Sequence, residues 1–122
     1  SHDDQSINKQ VKHMKETFET TANELGGQAE VLVEKSYPGF EVNETDKVTQ
    51  YAISSALALG LKGDTCIAGG GSDGNIMNQY GIPSVILGVG YENIHTTSER
   101  IAIKDMYMLT RQIIKIIELV AE

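Results

Sequence analysis

Two short segments carry residue types that could do chemistry, and the first is a glycine loop. Gly69–Gly71 precede Ser72, and Gly69, Gly71 and Gly74 fit the spacing G-x-G-x-x-G. Glycines between a strand and a helix let backbone N–H groups approach a bound anion, because no side chain blocks the approach. The same spacing also suits a tight turn that packs a short helix onto a sheet. The pattern by itself leaves both interpretations open.

The second segment is "GYENIHTTSE", residues 90–99, in which His95 lies among polar side chains. A neutral imidazole is a good zinc ligand, and a nearby acid can fix its tautomer. A catalytic zinc needs about three protein ligands, so His95 alone does not form a site. Neither His2, at the start of the chain, nor His13, on the polar side of a predicted helix, is expected to contribute.

Apolar periodicity predicts four helices around these segments. The first covers Asp4–Leu25 and stops at Gly26-Gly27, and the second covers Glu44–Leu59 between an Asn43 cap and Gly60. A short helix runs from a Ser72 cap to Tyr80, and a long helix starts at an Asp105 cap. The long helix is expected to turn a stripe of apolar residues to a core: Met106, Leu109, Ile113, Ile116, Ile117 and Val120.

Three apolar segments read as strands: "QAEVLVEK" (28–35), "TCIA" (65–68) and "SVILGVG" (84–90). Cys66 in the second is expected to be a small buried hydrophobe. Alternation of helices and strands predicts an α/β fold, in which ligands gather beyond the carboxyl ends of strands. The third run is typical of a strand covered on both faces and needs neighbours. The sheet is therefore expected to be completed by polypeptide outside this sequence.

Composition narrows the class of partner. The 122 residues include 17 acidic and 10 basic side chains, a net charge of -7. This balance argues against nucleic acid, whose binding depends on Lys and Arg. No apolar run is long enough to cross a bilayer, so no membrane partner is expected. The one cysteine suits a reducing compartment, and a cytoplasmic location is expected.

The stretch "GGGSDGNIMNQYGIPSVILGVGYENIHTTSE" resembles the carboxy-terminal signature of a family of di-zinc metallopeptidases. That family includes tripeptidase T, aminoacylase, carboxypeptidase G and succinyl-diaminopimelate desuccinylase, and the likeness is strongest to the tripeptidase T-like branch. The start, "SHDD…VKHMKETFETTANELGG", is similar to the second half of the family's small lid domain. The resemblance covers essentially the whole chain but only the last part of such an enzyme.

The resemblance implies a metal role for one residue. His95 matches the family's late-loop zinc ligand, and Asn93 and Glu99 fall where the family keeps polar groups around it. Two zinc ions per full-length subunit are implied, with cobalt or manganese as alternatives. The remaining ligands and the general base lie upstream of Ser1 in the family, so no catalytic residue is expected in this chain.

The resemblance also implies a substrate-binding loop that receives a carboxylate or a developing oxyanion. The residues that match it are Gly70, Gly71, Ser72 and Asn75. Some family members have an arginine where this sequence has Asn75, so strong selection for anionic substrates through this position is not expected.

The implied architecture is the C-terminal part of a zinc-exopeptidase α/β catalytic domain, preceded by half of an α+β ferredoxin-like lid. Residues 1–36 would belong to the lid, or dimerisation, domain and residues 37–122 to the catalytic domain. The sequence is thus read as the C-terminal portion of a cytosolic zinc aminopeptidase that hydrolyses short peptides. It is expected to form a homodimer through the lid, to need the missing N-terminal part of the enzyme, and to be inactive alone.

Two alternatives remain open at this stage. One is a nucleotide- or anion-binding α/β module that uses the Gly69–Gly74 loop. The other is a non-catalytic lid or assembly protein that keeps family residues without the chemistry.

Overall fold

The computed structural model describes residues 4–122, which contain four α-helices joined by extended and looped segments. The helices are α1 (Asp4–Glu24), α2 (Lys47–Ala58), α3 (Asp73–Gln79) and α4 (Ile103–Ala121). The chain divides into two compact units. The first contains the described residues up to Glu41 together with Gly69–Gly81, and the second contains Val42–Ala68 together with Ile82–Glu122. His2, which the sequence places in no site, lies outside the described residues.

The end of α1 confirms the glycine stop expected from the sequence. Gly26 has a φ of 76°, in the left-handed region that costs glycine little. The amide of Gly27 donates to the carbonyl of Ala22 at 2.8 Å, and the amide of Gly26 donates to the carbonyl of Asn23 at 3.1 Å. These two bonds form a Schellman motif, which satisfies carbonyls that the helix leaves open.

The expected starts of α2 and α4 were wrong by a few residues. Asn43 does not cap α2, because α2 begins at Lys47 and its N-cap is Asp46. The Asp46 carboxylate accepts a hydrogen bond from the main-chain amide of Asn43 at 2.7 Å. Residues 44–46 form a turn instead. Helix α4 begins at Ile103, which places Asp105 in its first turn rather than at its cap. A carboxylate there still interacts favourably with the helix dipole.

In the first unit, the segment after α1 turns back along the helix. Lys35 Nζ lies 2.9 Å from Asp4 Oδ1, at the opposite end of the 21-residue helix. A helix of that length spans roughly 30 Å, a distance that the intervening extended residues can cover. Val31 is half-buried, but Phe18 and Leu32 are exposed by 56% and 86%. The apolar face of α1 is therefore only partly covered within this chain.

The three segments expected as strands form no ladder within residues 4–122, where the one β-bridge pairs Glu92 with Arg100. A strand is stable only when its N–H and C=O groups meet a neighbouring strand, and these segments do not pair with one another. Cys66 is exposed rather than buried, and Ile67 is 82% exposed, because residues 65–68 lack a covering neighbour in this chain. The periodicity identified extended segments, but the sheet needs more polypeptide than the described residues supply.

The second unit is held together by α2 packed against α4. Ala52 and Ala56 line the inner side of α2, and Ala56 is 5% exposed. Gln112 of α4 is 9% exposed, and its Nε2 donates to the carbonyl of Ala52 at 3.2 Å. Small residues on α2 thus let a longer polar side chain of α4 reach the α2 backbone.

The stripe expected on α4 is only partly buried in this chain. Leu109 and Ile116 are half-buried, as expected. The other four members are exposed by 46% to 63%, and these are Met106, Ile113, Ile117 and Val120. Helix α4 has two apolar faces, and α2 covers the one that contains Gln112.

Candidate functional site

The glycine loop leads directly into the N-terminus of α3, where Ser72 is the N-cap. Ser72 Oγ accepts a hydrogen bond from the Gly74 amide at 3.2 Å, and Asn75 Oδ1 accepts one from the Ser72 amide at 2.9 Å. The two bonds form a capping box, which satisfies two amides that the helix start would leave open. The cap expected at Ser72 is confirmed, and Asn75 is its second member.

Asn75 is buried, at 6% exposure, and both the oxygen and the nitrogen of its side-chain amide form hydrogen bonds. Besides the bond from Ser72, its Nδ2 donates to the carbonyl of Pro38 at 2.8 Å. The side chain thus ties the start of α3 to a segment 37 residues earlier in the chain. The substrate contact expected of Asn75 stays a prediction, and its observed role is to fix the loop.

Tyr37 makes a second connection between these segments. A Cβ placed on Gly71 would lie 2.6 Å from Cε2 of Tyr37 and closer still to Cζ and the hydroxyl oxygen. The ring therefore occupies the space that any side chain at position 71 would need. Tyr37 remains 49% exposed, so much of the ring is open to solvent beside the glycine loop.

His95 lies in a loop that is closed at its base by Glu92 and Arg100. Their backbones exchange two hydrogen bonds, of 2.8 Å from the Glu92 amide and 3.1 Å from the Arg100 amide. Arg100 Nε also donates to Glu92 Oε2 at 2.8 Å. Within the loop, Thr96 Oγ1 donates to the carbonyl of Asn93 at 2.7 Å. These bonds define the path of residues 92–100, although every residue in this range is exposed.

Two residues of this loop have left-handed backbone conformations, Asn93 with φ 54° and His95 with φ 62°. Such angles cost most residues with a side chain about 1–2 kcal/mol, although asparagine and histidine adopt them more often than others. The main-chain N–H of His95 donates to Glu99 Oε2 at 2.6 Å, which helps to hold this conformation. A strained residue on an exposed loop supports a hypothesis of function, because such strain persists where the surroundings enforce it.

The structure leaves the imidazole of His95 exposed. Within residues 4–122 no group of three or more His, Cys, Asp and Glu side chains could hold a metal ion. Glu99 binds the backbone of His95, and Asn93 contributes a carbonyl to Thr96. A zinc site needs about three protein ligands, and the described residues place no such set around His95.

The residues expected to form the site fall into two groups. Gly70, Gly71, Ser72 and Asn75 belong to the first unit. Asn93, His95 and Glu99 belong to the second. Each group is ordered by its own hydrogen bonds, and their joint action on one substrate stays a prediction. The domain boundary expected between residues 36 and 37 likewise stays a prediction.

Sequence reasoning missed the residues that shape these two loops. Tyr37 and Pro38 lie outside every helix and strand predicted from the sequence, yet both contact the glycine loop or the start of α3. No local pattern connects residue 37 with residue 71, so only the fold reveals that contact. The pairing of Glu92 with Arg100 had a weak signal, since opposite charges flank the His95 loop.

Comparison with known proteins gives the family. Residues 4–119 match the family described as Peptidase family M20/M25/M40. The chain is 41% identical over 109 residues to the uncharacterized protein YqjE of Bacillus subtilis (strain 168). The aligned region covers 89% of this chain and 29% of YqjE. The family resemblance noted in the sequence is confirmed.

Two solved structures have the same fold over nearly the whole chain. A tripeptidase from Staphylococcus aureus subsp. aureus Mu50 is 60% identical with a TM-score of 0.91, covering 99% of this chain and 32% of that one. The aminopeptidase PepT from Bacillus cereus ATCC 10987 is 42% identical with a TM-score of 0.81. The match covers 98% of this chain and 32% of PepT. The α/β peptidase fold class is confirmed, and the chain spans about a third of the length of these relatives.

None of the helices in the described part of the chain combines the length and apolar composition that crossing a bilayer requires.

Proposed function

Because the chain belongs to peptidase family M20/M25/M40, we propose that it forms part of a zinc-dependent aminopeptidase that hydrolyses short peptides in the cytoplasm. A 60% identical relative is a tripeptidase and a 42% identical relative is an aminopeptidase, which supports this substrate class. The observation that carries the proposal is the His95 loop, in which an exposed imidazole is held at a strained backbone position.

In this proposal His95 is a metal ligand, and the other ligands and the general base come from polypeptide beyond this chain. The fit rests on the chemistry of the donor, since an exposed neutral imidazole is a preferred ligand of zinc. Cobalt or manganese are alternatives, because imidazole also binds other divalent metals. When bound, a zinc pair supplies a water of lowered pKa and polarises the peptide carbonyl.

The chain's own residues would act on the substrate and on the metal ligand. Glu99 fixes the backbone of His95 and so restricts the direction of the imidazole. Gly70 leaves the backbone beside it accessible, since nothing lies within 4 Å of where a Cβ would be, whereas the Tyr37 ring covers that side of Gly71. The Ser72 hydroxyl can still donate a hydrogen bond while it accepts the one from Gly74. Such preorganised donors stabilise negative charge that develops on a peptide carbonyl oxygen.

The proposal also assigns partners. The intact enzyme would form a homodimer through its lid domain, to which residues 1–36 would contribute half. The chain alone would hydrolyse nothing and bind zinc weakly, because one imidazole is far from a complete ligand set. The exposed side chains of Phe18 and Leu32 in the first unit leave apolar surface that further polypeptide could cover.

The test replaces His95 with alanine in the full-length protein and measures tripeptide hydrolysis and zinc content per subunit. We expect hydrolysis to fall at least about a thousandfold, the scale of losing a central catalytic interaction, together with a loss of bound zinc. His13→Ala is the matched control, because His13 is exposed on α1. Undiminished hydrolysis with full zinc content in the His95 variant would remove the assignment.

Hydrogen bonding in the loop weighs against the anion-binding alternative. The amides of Ser72 and Gly74 are taken by the capping box, and the amide of Asn75 donates to the Ser72 carbonyl at 3.0 Å. Helix α3 is also only seven residues long. Few amides at this helix start therefore remain for a phosphate, which leaves the peptidase as the better-supported function.

A further inference from the structure

The contact between Tyr37 and Gly71 suggests a role for a residue that the function proposed above does not use. Gly71 belongs to the loop that we assign to the peptide substrate, and Tyr37 precedes it by 34 positions in the sequence. Gly71 is not among the glycines with positive φ, so its backbone does not itself require glycine. What a side chain at this position would meet is the end of the Tyr37 ring, which would have to shift to make room for it.

A second contact, made by Pro38 next to Tyr37, holds the same two segments together. The carbonyl of Pro38 accepts a 2.8 Å hydrogen bond from Asn75 Nδ2, and Asn75 Oδ1 accepts the amide of Ser72 at 2.9 Å. The segment of Tyr37 and Pro38 is thus fastened to the start of α3 through a buried side chain. This anchor fixes the Tyr37 backbone, and so limits where its ring can go.

We propose that Tyr37 is a positioning residue that fixes the Gly69–Gly71 loop for the peptide substrate, an inference that rests on the proposed peptidase function. Its ring packs against the Gly71 backbone and restricts the loop to one arrangement. Because small displacements of a substrate-positioning group can cost about a hundredfold in rate, the ring matters without touching the reacting atoms. The ring is 49% exposed, so part of it is open to solvent beside the loop.

The geometry makes a prediction about a pair of substitutions. A side chain at position 71 and the Tyr37 ring cannot occupy the same space, so Gly71→Ala should be harmful only while the ring is present. Removing the ring in the double variant Tyr37→Ala/Gly71→Ala should restore part of what Gly71→Ala alone loses. Residues in direct contact are expected to show such non-additivity.

The experiment uses the full-length enzyme and five variants: Tyr37→Phe, Tyr37→Leu, Tyr37→Ala, Gly71→Ala and the double variant. For each, kcat and KM for a tripeptide, zinc content and the midpoint of thermal unfolding are measured. We expect Tyr37→Ala to lower kcat/KM by about tenfold to a hundredfold with unchanged zinc content, and Tyr37→Phe to stay within about threefold of wild type. Tyr80→Ala is the control, because Tyr80 lies in the same unit and is 78% exposed.

Three results would overturn the inference. The first is a Tyr37→Ala enzyme with wild-type kcat and KM. The second is a double variant no more active and no more stable than Gly71→Ala. The third is a failure of both Tyr37→Ala and Tyr37→Leu to fold, which would make Tyr37 a residue for stability alone.

Failure of the inference and failure of the proposed function can be told apart. If His95→Ala keeps full hydrolysis and zinc, the peptidase site is wrongly assigned whatever Tyr37 does. If His95→Ala is inactive while the Tyr37 variants behave as wild type, only the positioning role is wrong. The unfolding midpoints test the steric exclusion between Tyr37 and a side chain at position 71 without any reference to activity.

Discussion

The main-chain amide of His95 donates a 2.6 Å hydrogen bond to Oε2 of Glu99, so the carboxylate holds the backbone of the histidine. The sequence suggested that an acid nearby would act on the imidazole. In the structure, Glu99 instead supports the left-handed conformation at His95, where φ is 62°. The direction of the imidazole is therefore set through the backbone, which fixes where the side chain leaves the loop.

This relationship predicts the effect of replacing Glu99. In the full-length enzyme, Glu99→Ala should lower zinc affinity by about tenfold to a hundredfold, the usual cost of losing a group that orients a ligand. Glu99→Gln should lose less, because its side-chain oxygen still accepts the His95 amide. Zinc titration against a competing chelator measures the affinity, and amide hydrogen exchange at His95 reports the bond itself.

Glu118→Ala provides the comparison for Glu99, because Glu118 lies on α4 and pairs with Lys115 at 3.0 Å. Its zinc affinity and His95 exchange rate should equal those of the wild type. Wild-type exchange at His95 in Glu99→Ala would show that the carboxylate does not hold this amide, and the prediction would then fail.

The ion pair at the base of the loop is predicted to matter little. Arg100 and Glu92 are exposed by 71% and 63%, and exposed pairs contribute about 0–1 kcal/mol. The backbone bonds between the same residues remain in Arg100→Ala. We expect this variant to change the free energy of unfolding by less than about 1 kcal/mol, measured by urea denaturation at low and high salt. A loss well above that, present at high salt too, would contradict the prediction.

Because Ser72 caps α3, substitutions of Ser72 should affect the stability of the protein separately from substrate binding. Ser72→Ala should reduce the free energy of unfolding by about 1 kcal/mol, because the Gly74 amide loses its acceptor. Ser72→Asp should keep most of that stability, since aspartate is an equally good N-cap. Thermal unfolding and peptide KM are measured on both variants. If the hydroxyl contacts substrate, Ser72→Asp will restore stability but not KM; equal stability of Ser72→Ala and wild type would exclude the capping contribution.

The buried amide of Gln112 predicts a stability effect in the second unit. Gln112→Ala removes the bond to the Ala52 carbonyl and leaves space between α2 and α4. The expected loss is roughly 1–3 kcal/mol in the free energy of unfolding, from a lost hydrogen bond and lost packing. The matched control is Gln10→Ala on the exposed surface of α1. Urea denaturation of both variants gives the comparison, and equal midpoints would refute the role of Gln112.

Local signals in the sequence were enough to place most helices. Gly26 was recognised as the end of α1 and Ser72 as the cap of α3, because helix ends depend on residues within a few positions of each other. The cap of α4 was predicted three residues late, because Asp105 resembles a cap but lies in the first turn, after the observed N-cap Ala102. Periodicity gave the stripe on α4, but it could not show which of its members α2 would cover.

Nearby residues and contiguous motifs were sufficient to predict the helix pattern, the extended segments, the family and the two candidate loops. Three contacts are visible only in the folded chain: Tyr37 packs on Gly71, Asn75 donates to the Pro38 carbonyl, and Gln112 reaches the α2 backbone. These contacts join residues 34 to 60 positions apart. No local spacing predicts them, since they depend on how distant segments pack together.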